Sequence, residues 1–420
     1  MEKRAAEERL IFHIDVNSAF LSWEAARRVK QGQEDLRLIP SCVGGNPQKR
    51  TGIVLAKSIP AKKFGVVTGE PMSQALRKCP HLVSVKPDFR LYESCSKAFK
   101  SICNEYAPAM ESFSIDEVFL DMTGTGRIYP DPVAVAHEIK DRIRDTLGFT
   151  VNVGIGPNKL LAKMASDFEK PDKVHTLFST EIRRKMWILP VRDLLTVGKM
   201  TAEKLNQNQI FTIGDLACSD LTRIQKIVGH KMGIQIHRYA NGIDDSPVRP
   251  GRDEAKGYSV ETTLEYNIEK VEDAWPILLT QADIAAARMR SEGAKCRCVS
   301  VVWRTTEFVN RSHQCRLKES TDVTTEIYET ARKLFRESWN GQPLRLIGLS
   351  LTELDDGSYE QLSFIRDENK EKMRKMDQAV DALRGKFGND IIKRGSTLDA
   401  SGRIGRKYRA QMENDSGKSE

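Results

Sequence analysis

No run of apolar residues in this 420-residue chain approaches the roughly 18 that a membrane-spanning helix requires. The opening MEKRAAEERLIFHIDV mixes acids with bases and has no apolar signal core, so a cytoplasmic protein with no membrane association is expected. Cysteine is sparse and unpatterned, with eight residues at 42, 79, 95, 103, 218, 296, 298 and 315. The absence of any CxxC pair or matching histidine spacing argues against a zinc site or disulfide framework and for reduced thiols. Internal repeats are absent, as is low complexity over most of the chain. What remains is 40% hydrophobic and 30% charged, a globular composition, and the length implies about three domains. A net charge of +8 points toward a polyanionic partner once the charge is located on the chain.

LIFHIDV alternates Leu10, Phe12, Ile14 and Val16 against His13, Asp15 and Asn17, the pattern of a strand with one buried face. Asn17 or Ser18 is placed to cap a helix over AFLSWEAARRVK. VVTGEPMSQALRKC, YESCSKAFKSICNEYA and PVAVAHEIKDRIRDTLG read as helices, and TVNVGIG as a second alternating strand. The helix NKLLAKMASDFEK is expected to run to Pro171. Strands alternating with helices indicate an α/β first domain to about residue 170. A small helical region follows, to about 240, and NGIDDSPVRPGRDEAKG reads as a linker. The helix VEDAWPILLTQADIAAARMR and the strands CRCVSVVWRTTEFV, SHQCRLKES and LRLIGLSLTEL form a second α/β unit. Beyond about 354 the chain is charged and helical without an evident core, and MENDSGKSE reads as a frayed end.

FSIDEVFLD (Phe113–Asp121) poses the chemical question. Phe113 and Ile115 share one face, but after Asp116-Glu117 the apolar positions are Val118 and Leu120, so the register slips by one. A slip of this kind requires a bulge, a tight hairpin or a tolerated conflict. If this strand neighbours the one bearing Asp15, three carboxylates converge and demand a divalent cation, with oxygen-only ligation suiting Mg²⁺ and phosphoryl transfer. The alternative is that Asp15 faces solvent and Asp116-Glu117 is an acidic hairpin tip.

Four blocks, IFHIDVNSAF, IPAKKFGV, SIDEVFLD and VNVGIGPNKLLAKMASDFEKP, resemble in order and spacing the Y family of DNA polymerases, close to its bacterial branch. The resemblance implies a right-hand α/β polymerase: a palm at 1–28 and 84–171, fingers at 29–83, a helical thumb at 172–241, a little finger at 252–353 and a tail at 354–420. It implies two Mg²⁺ ions held by Asp15, Asp116, Glu117 and the Val16 carbonyl, with these carboxylates as the catalytic set. Phe20 matches the aromatic that excludes ribonucleotides, and Lys62 and Lys170 match contacts to the triphosphate of an incoming deoxynucleotide. The chain departs from the family's usual pattern at Lys62 (usually Arg), Ile59 (usually Tyr) and Ala19 (often aromatic). Without the resemblance, Phe20 packs in a helix, Lys62 is a surface base and Lys170 a helix-end cation.

TVGKMTAEKL, Thr196 to Leu205, resembles a helix-hairpin-helix whose Gly198-Lys199 turn offers backbone amides to a DNA phosphate, with Thr196 where the motif has glycine. Otherwise it is a helix start capped near Thr201. Six bases, among them Arg297, Arg304, Arg311 and Arg316, face one acid between Lys295 and Lys318. In the family this sheet lies along primer-template DNA and touches phosphates. QLSFI, with Gln361, Leu362 and Phe364, is similar to the peptide with which bacterial polymerases dock on the sliding clamp. A following helix carries Met373, Met376, Val380, Leu383 and Phe387 at helical spacing. The expected protein is a monomeric, error-prone translesion DNA polymerase without a proofreading domain. The alternatives are a mutagenesis subunit needing activating partners, a catalytically feeble clamp- and DNA-binding protein, and, disfavoured by the basic regions, a nucleotide cyclase.

Overall fold

The computed structural model describes residues 9–46, 52–251, 254–355, 368–389 and 391–395. The chain forms two compact units, Met1–Gly45 with Ile53–Arg252, and Asn46–Gly52 with Asp253–Glu420.

In the first unit the elements run β1 (Ile11–Val16), α1 (Ala19–Lys30), β2 (Ser41–Gly44), β3 (Val54–Lys57), α2 (Ile59–Lys63), α3 (Met72–Lys78), β4 (Val83–Val85) and α4 (Phe89–Asn104). They continue with β5 (Ala109–Ser112), β6 (Glu117–Asp121), α5 (Pro132–Leu147), β7 (Val151–Gly156), α6 (Lys159–Ser166) and β8 (Val174–Thr176). A helical region closes the unit: α7 (Ile182–Lys185), α8 (Lys199–Gln207), α9 (Ile213–Cys218), α10 (Leu221–Val228) and α11 (His230–Ala240).

Five strands form the central sheet in the order β5-β6-β1-β7-β8, so the sheet continues beyond residue 171, and β2, β3 and β4 form a small separate one. Phe12, Ile14, Val118, Leu120, Val151 and Val153 build the main core with Trp23, Tyr92, Phe99 and Ile139 from α1, α4 and α5. The expectation of one buried face on β1 is corrected here. All six of its residues are buried, because α6 packs over the His13 and Asp15 side. A Cβ on Gly154 would stand 2.0 Å from the Ala162 carbonyl oxygen and 2.4 Å from the Ser166 nitrogen, so glycine is what lets α6 come this close.

Two helix expectations were too long. The first, over VVTGEPMSQALRKC, shrinks to Met72–Lys78, since Gly69 adopts φ +88 and Pro71 precedes the first turn. The second helix stops at Ser166, four residues short of Lys170, because Asp167 takes the cap and the following residues are drawn off by Asn152, whose amide donates to the carbonyls of Ser166 (3.0 Å) and Glu169 (2.6 Å).

The second unit contains β9 (Gly257–Ile268), α12 (Trp275–Ser291), β10 (Lys295–Thr305), β11 (Asn310–Thr321), α13 (Thr324–Ser338), β12 (Leu344–Asp355) and α14 (Glu368–Phe387). Its antiparallel sheet runs β11-β10-β12-β9, with Val299, Val301, Trp303, Ile347 and Leu349 packed on Ile277, Leu278 and Phe335. β9 and α13 were not anticipated. β9 alternates only loosely, and α13 is amphipathic about four apolar residues within a charged stretch.

The tail helix α14 docks by its polar side. Asp377 accepts from the Thr324 backbone nitrogen at the start of α13 (2.8 Å) and from Arg394 (2.8 Å), while Arg290 pairs with Asp381 (2.7 Å) and Arg384 with Asp283 (2.8 Å). Met373, Met376, Leu383 and Phe387, which recur at helical spacing, are exposed.

Replacing Gly154 by Ala forces α6 away from the sheet. The expected cost is about 3 kcal/mol, read as a lowered midpoint in urea unfolding; an unchanged midpoint would mean that the close approach is not required.

Candidate active site

β1 and β6 pair antiparallel with Asp15 directly opposite Glu117, and β1 and β7 pair with Asp15 opposite Asn152. The slip in FSIDEVFLD is a tight hairpin: β5 ends at Ser112, β6 begins at Glu117, and Phe113 and Ser114 both donate to the Glu117 carbonyl (3.1 and 3.2 Å). Phe113 is accordingly exposed, not part of a buried strand face. Asp116 lies on this turn, where its carbonyl accepts from the Val16 nitrogen (3.1 Å) and its Oδ1 from the Ser114 hydroxyl (2.6 Å). Lys100 braces the turn by donating to the Ser114 carbonyl (2.6 Å). The strands bearing Asp15 and Asp116-Glu117 are therefore neighbours, and the three carboxylates converge at the end of β1.

Their electrostatics differ. Burial pushes Asp15 up to about 6 against the pull of Lys170, with Glu117 and Asp116 adding repulsion. Burial would also raise Glu117, but hydrogen bonds from His13 and Lys163 outweigh it and hold that carboxyl at about 2. Lys163 donates to Glu117 Oε2 at 2.6 Å and His13 Nε2 meets the same oxygen at 3.3 Å. Lys170 pairs with Asp15 Oδ2 and, at 2.8 Å, with Asp167.

Among the described residues no three carboxylate, histidine or cysteine side chains stand in ligating geometry, since Asp15 and Glu117 each turn an oxygen onto a lysine. The donor set nevertheless fits a hard divalent cation. It is all oxygen, and Asp15 Oδ1, Asp116 Oδ2 and Glu117 Oε1 carry no protein hydrogen bond among the described residues. The two lysines offset the mutual repulsion of the cluster.

Five residues of this site went unrecognised in the sequence: His13, Asn17, Asn152, Lys163 and Ser166. Asn17 and Asn152 bond to each other (3.1 Å), and their side chains accept from the backbone nitrogens of Asp172 (3.0 Å) and Lys173 (3.3 Å), which fixes the chain around Lys170. For His13, Asn17 and Asn152 the available signal was a common face: His13 and Asp15 alternate on β1, Asn17 follows just beyond its end, and Asn152 stands on the same side of β7.

Phe20 is half-buried on α1 and stacks on Tyr92, with ring centroids 4.7 Å apart. Lys62 is exposed on α2. Gly198 caps α8 and Lys199 is its first residue, so the helix begins two residues before Thr201. Thr196 holds φ +75, keeping the left-handed turn that glycine usually supplies. In the second unit Arg304 and Arg316 share one face of the sheet, with Arg304 bonded to Asn310 (2.6 Å) and Arg316 paired with Glu353 (2.7 Å). Arg311 stands opposite Trp303 and so belongs to the other face, and Arg297 lies at a register shift, reaching the Lys318 carbonyl (3.1 Å). Gln361, Leu362 and Phe364 lie outside the described residues.

Comparison with known proteins places this geometry. The impB/mucB/samB family model matches residues 14–167, its C-terminal domain model residues 255–364, and a DNA polymerase-iota thumb domain model residues 192–244. The chain is 43% identical over 393 residues to the DNA polymerase IV of Clostridium acetobutylicum, covering 93% of this chain and 98% of that protein. It is 35% identical over 407 residues to DNA polymerase IV 2 of Bacillus subtilis, covering 94% of this chain and 96% of that protein. Among solved structures, a Y-family DNA polymerase chimera has the same fold, with a TM-score of 0.72 at 23% identity over 82% of this chain and 98% of that one. Matched at this identity over nearly the whole length of its relatives, the chain belongs to the Y family of DNA polymerases, with the bacterial DNA polymerase IV proteins.

Proposed function

We propose that Asp15, Asp116 and Glu117, with the Val16 carbonyl, hold two Mg²⁺ ions for nucleotidyl transfer in this translesion DNA polymerase. The observation that carries this is the register of β1 against β6, which sets Asp15 across from Glu117 and the Val16 nitrogen on the Asp116 carbonyl. Y-family polymerases depend on divalent metal, which activates the primer 3′-hydroxyl and stabilises the leaving pyrophosphate. The chain's own part is positional. Asp15 and Asp116 would hold both ions and Glu117 the one nearer the primer hydroxyl, while Lys170 and Lys62 would contact the triphosphate of the incoming nucleotide. The pairing of Lys170 with Asp15 supports this role, since it places the ammonium beside the carboxylates that would hold the metal.

Phe20 is the steric gate against ribonucleotides, its ring held by the Tyr92 stack. Primer-template DNA and deoxynucleoside triphosphates are the substrates. DNA phosphates are gripped by the Gly198-Lys199 turn and by Arg297, Arg304, Arg311 and Arg316, a sequence-independent hold. Of these, Arg304 and Arg316 share a sheet face and form the nucleus of that surface. Gln361, Leu362 and Phe364 dock the enzyme, a monomer, on the sliding clamp in the bacterial cytoplasm. The palm, fingers, thumb and little finger follow the boundaries given above, with β8 added to the palm sheet.

Changing Asp116 to Asn lowers primer extension at least about 100-fold while DNA affinity in an electrophoretic shift stays within about twofold; retained extension would remove Asp116 from the catalytic set. Changing Phe20 to Ala lowers discrimination between deoxy- and ribonucleotides at least about tenfold, measured as the ratio of kcat/KM values. Unchanged discrimination would sink the gate.

A further inference from the structure

Glu117 is held by a chain of donors that leads away from the reacting atoms. His13 lies on β1 two residues before Asp15, fully buried, with Nε2 3.3 Å from Glu117 Oε2 and Nδ1 2.8 Å from the Ser166 hydroxyl. Lys163, one turn earlier on α6, reaches the same Oε2 at 2.6 Å. Oε2 thus faces two donors, whereas Oε1 has no protein partner among the described residues.

The contact to Glu117 has a fixed direction. A carboxylate only accepts, so Nε2 carries the hydrogen. Nδ1, on the far side of the ring, lies within hydrogen-bond distance of the Ser166 hydroxyl, so the imidazole is held from both edges. Ser166 Oγ also donates to the Lys163 carbonyl at 2.8 Å, which ties the hydroxyl to the same turn of α6.

We infer that Ser166, His13 and Lys163 are positioning residues that occupy Glu117 Oε2 and so present Oε1, in a single orientation, as the oxygen available to metal. The inference rests on Glu117 being a ligand, as proposed above. The geometry depends on α6 lying close to the sheet. Gly154 stands beside His13 in the β1–β7 register, and it is over this glycine that Ser166 approaches. An unrestrained glutamate samples several rotamers and two oxygens, and a hydrogen-bonded partner behind a ligand removes that freedom; loss of such a partner weakens metal affinity or activity by about 10- to 100-fold.

The test uses the full chain with a chain-terminated primer-template and the next deoxynucleotide, titrated with Mn²⁺ by electron paramagnetic resonance, so that no turnover is needed. His13→Leu keeps the volume and removes the donor; His13→Gln restores a donor near Nε2; Ser166→Ala leaves the ring but removes its partner at Nδ1; Glu117→Gln is the reference. The expected result is a half-saturating Mn²⁺ concentration raised about tenfold in His13→Leu, partly restored in His13→Gln, and raised to a lesser extent in Ser166→Ala. With an extendable primer, His13→Leu lowers kcat while the nucleotide KM stays within about twofold. Wild-type Mn²⁺ binding in folded His13→Leu, or a loss that His13→Gln does not repair, overturns the inference. Should His13→Leu not fold, Ser166→Ala decides by the same criterion. Wild-type binding in Glu117→Gln would instead overturn the role of Glu117 itself.

Discussion

Three carboxylates drawn together at the end of a buried strand repel one another, and the first unit is arranged around containing that repulsion. Asp15, Asp116 and Glu117 meet because β1 lies between β6 and β7 in the sheet. They stay together because each is answered: Asp15 by Lys170, Glu117 by Lys163 and His13, Asp116 by the Ser114 hydroxyl. Both lysines come from one short stretch, α6 and the turn after it. The close seat of that helix over Gly154 and the tethering of the following turn by Asn17 and Asn152 are therefore electrostatic requirements as much as packing ones. The same two lysines offset the charge of the cluster and hold its carboxylates in place.

Much of this was legible in the sequence, and what was not has a common cause. Alternation placed β1 and β7, and the one-residue slip at Asp116-Glu117 marked the hairpin, because strand periodicity and turn chemistry are local properties. The roles of His13, Lys163 and Ser166 are not local. Ser166 lies 153 residues from the histidine it meets, and its hydroxyl acquires a role only when α6 lies on the sheet. The overlong helix toward Pro171 failed for a related reason: proline marks where a helix must have ended, while the side chain of Asn152, from a distant strand, decided where it did. The chemistry of the acids came from the family resemblance, which the relatives then bore out at the level of the enzyme.

The second unit shows the limit of apolar periodicity. α14 carries methionine, leucine and phenylalanine at helical spacing and leaves them exposed, while Asp377 and Arg384 are buried and Asp381 pairs with Arg290, whose side chain is covered. A buried ionic seam of this kind specifies one docked position, because removing either partner strands a charge, whereas an apolar stripe tolerates sliding. The basic strand β11 likewise divides its charges between two faces of the sheet, so a run of bases in sequence is not one surface in space.

The central claim is that the β1–β6 pairing builds a single site for two metal ions. The most direct measurement is the stoichiometry of Mn²⁺ bound to the enzyme in complex with a blocked primer-template and incoming deoxynucleotide, with Asp15→Asn alongside. The account predicts two ions on the wild-type enzyme and fewer on the variant; one ion or none on the wild type, or two retained without the Asp15 carboxylate, would contradict it.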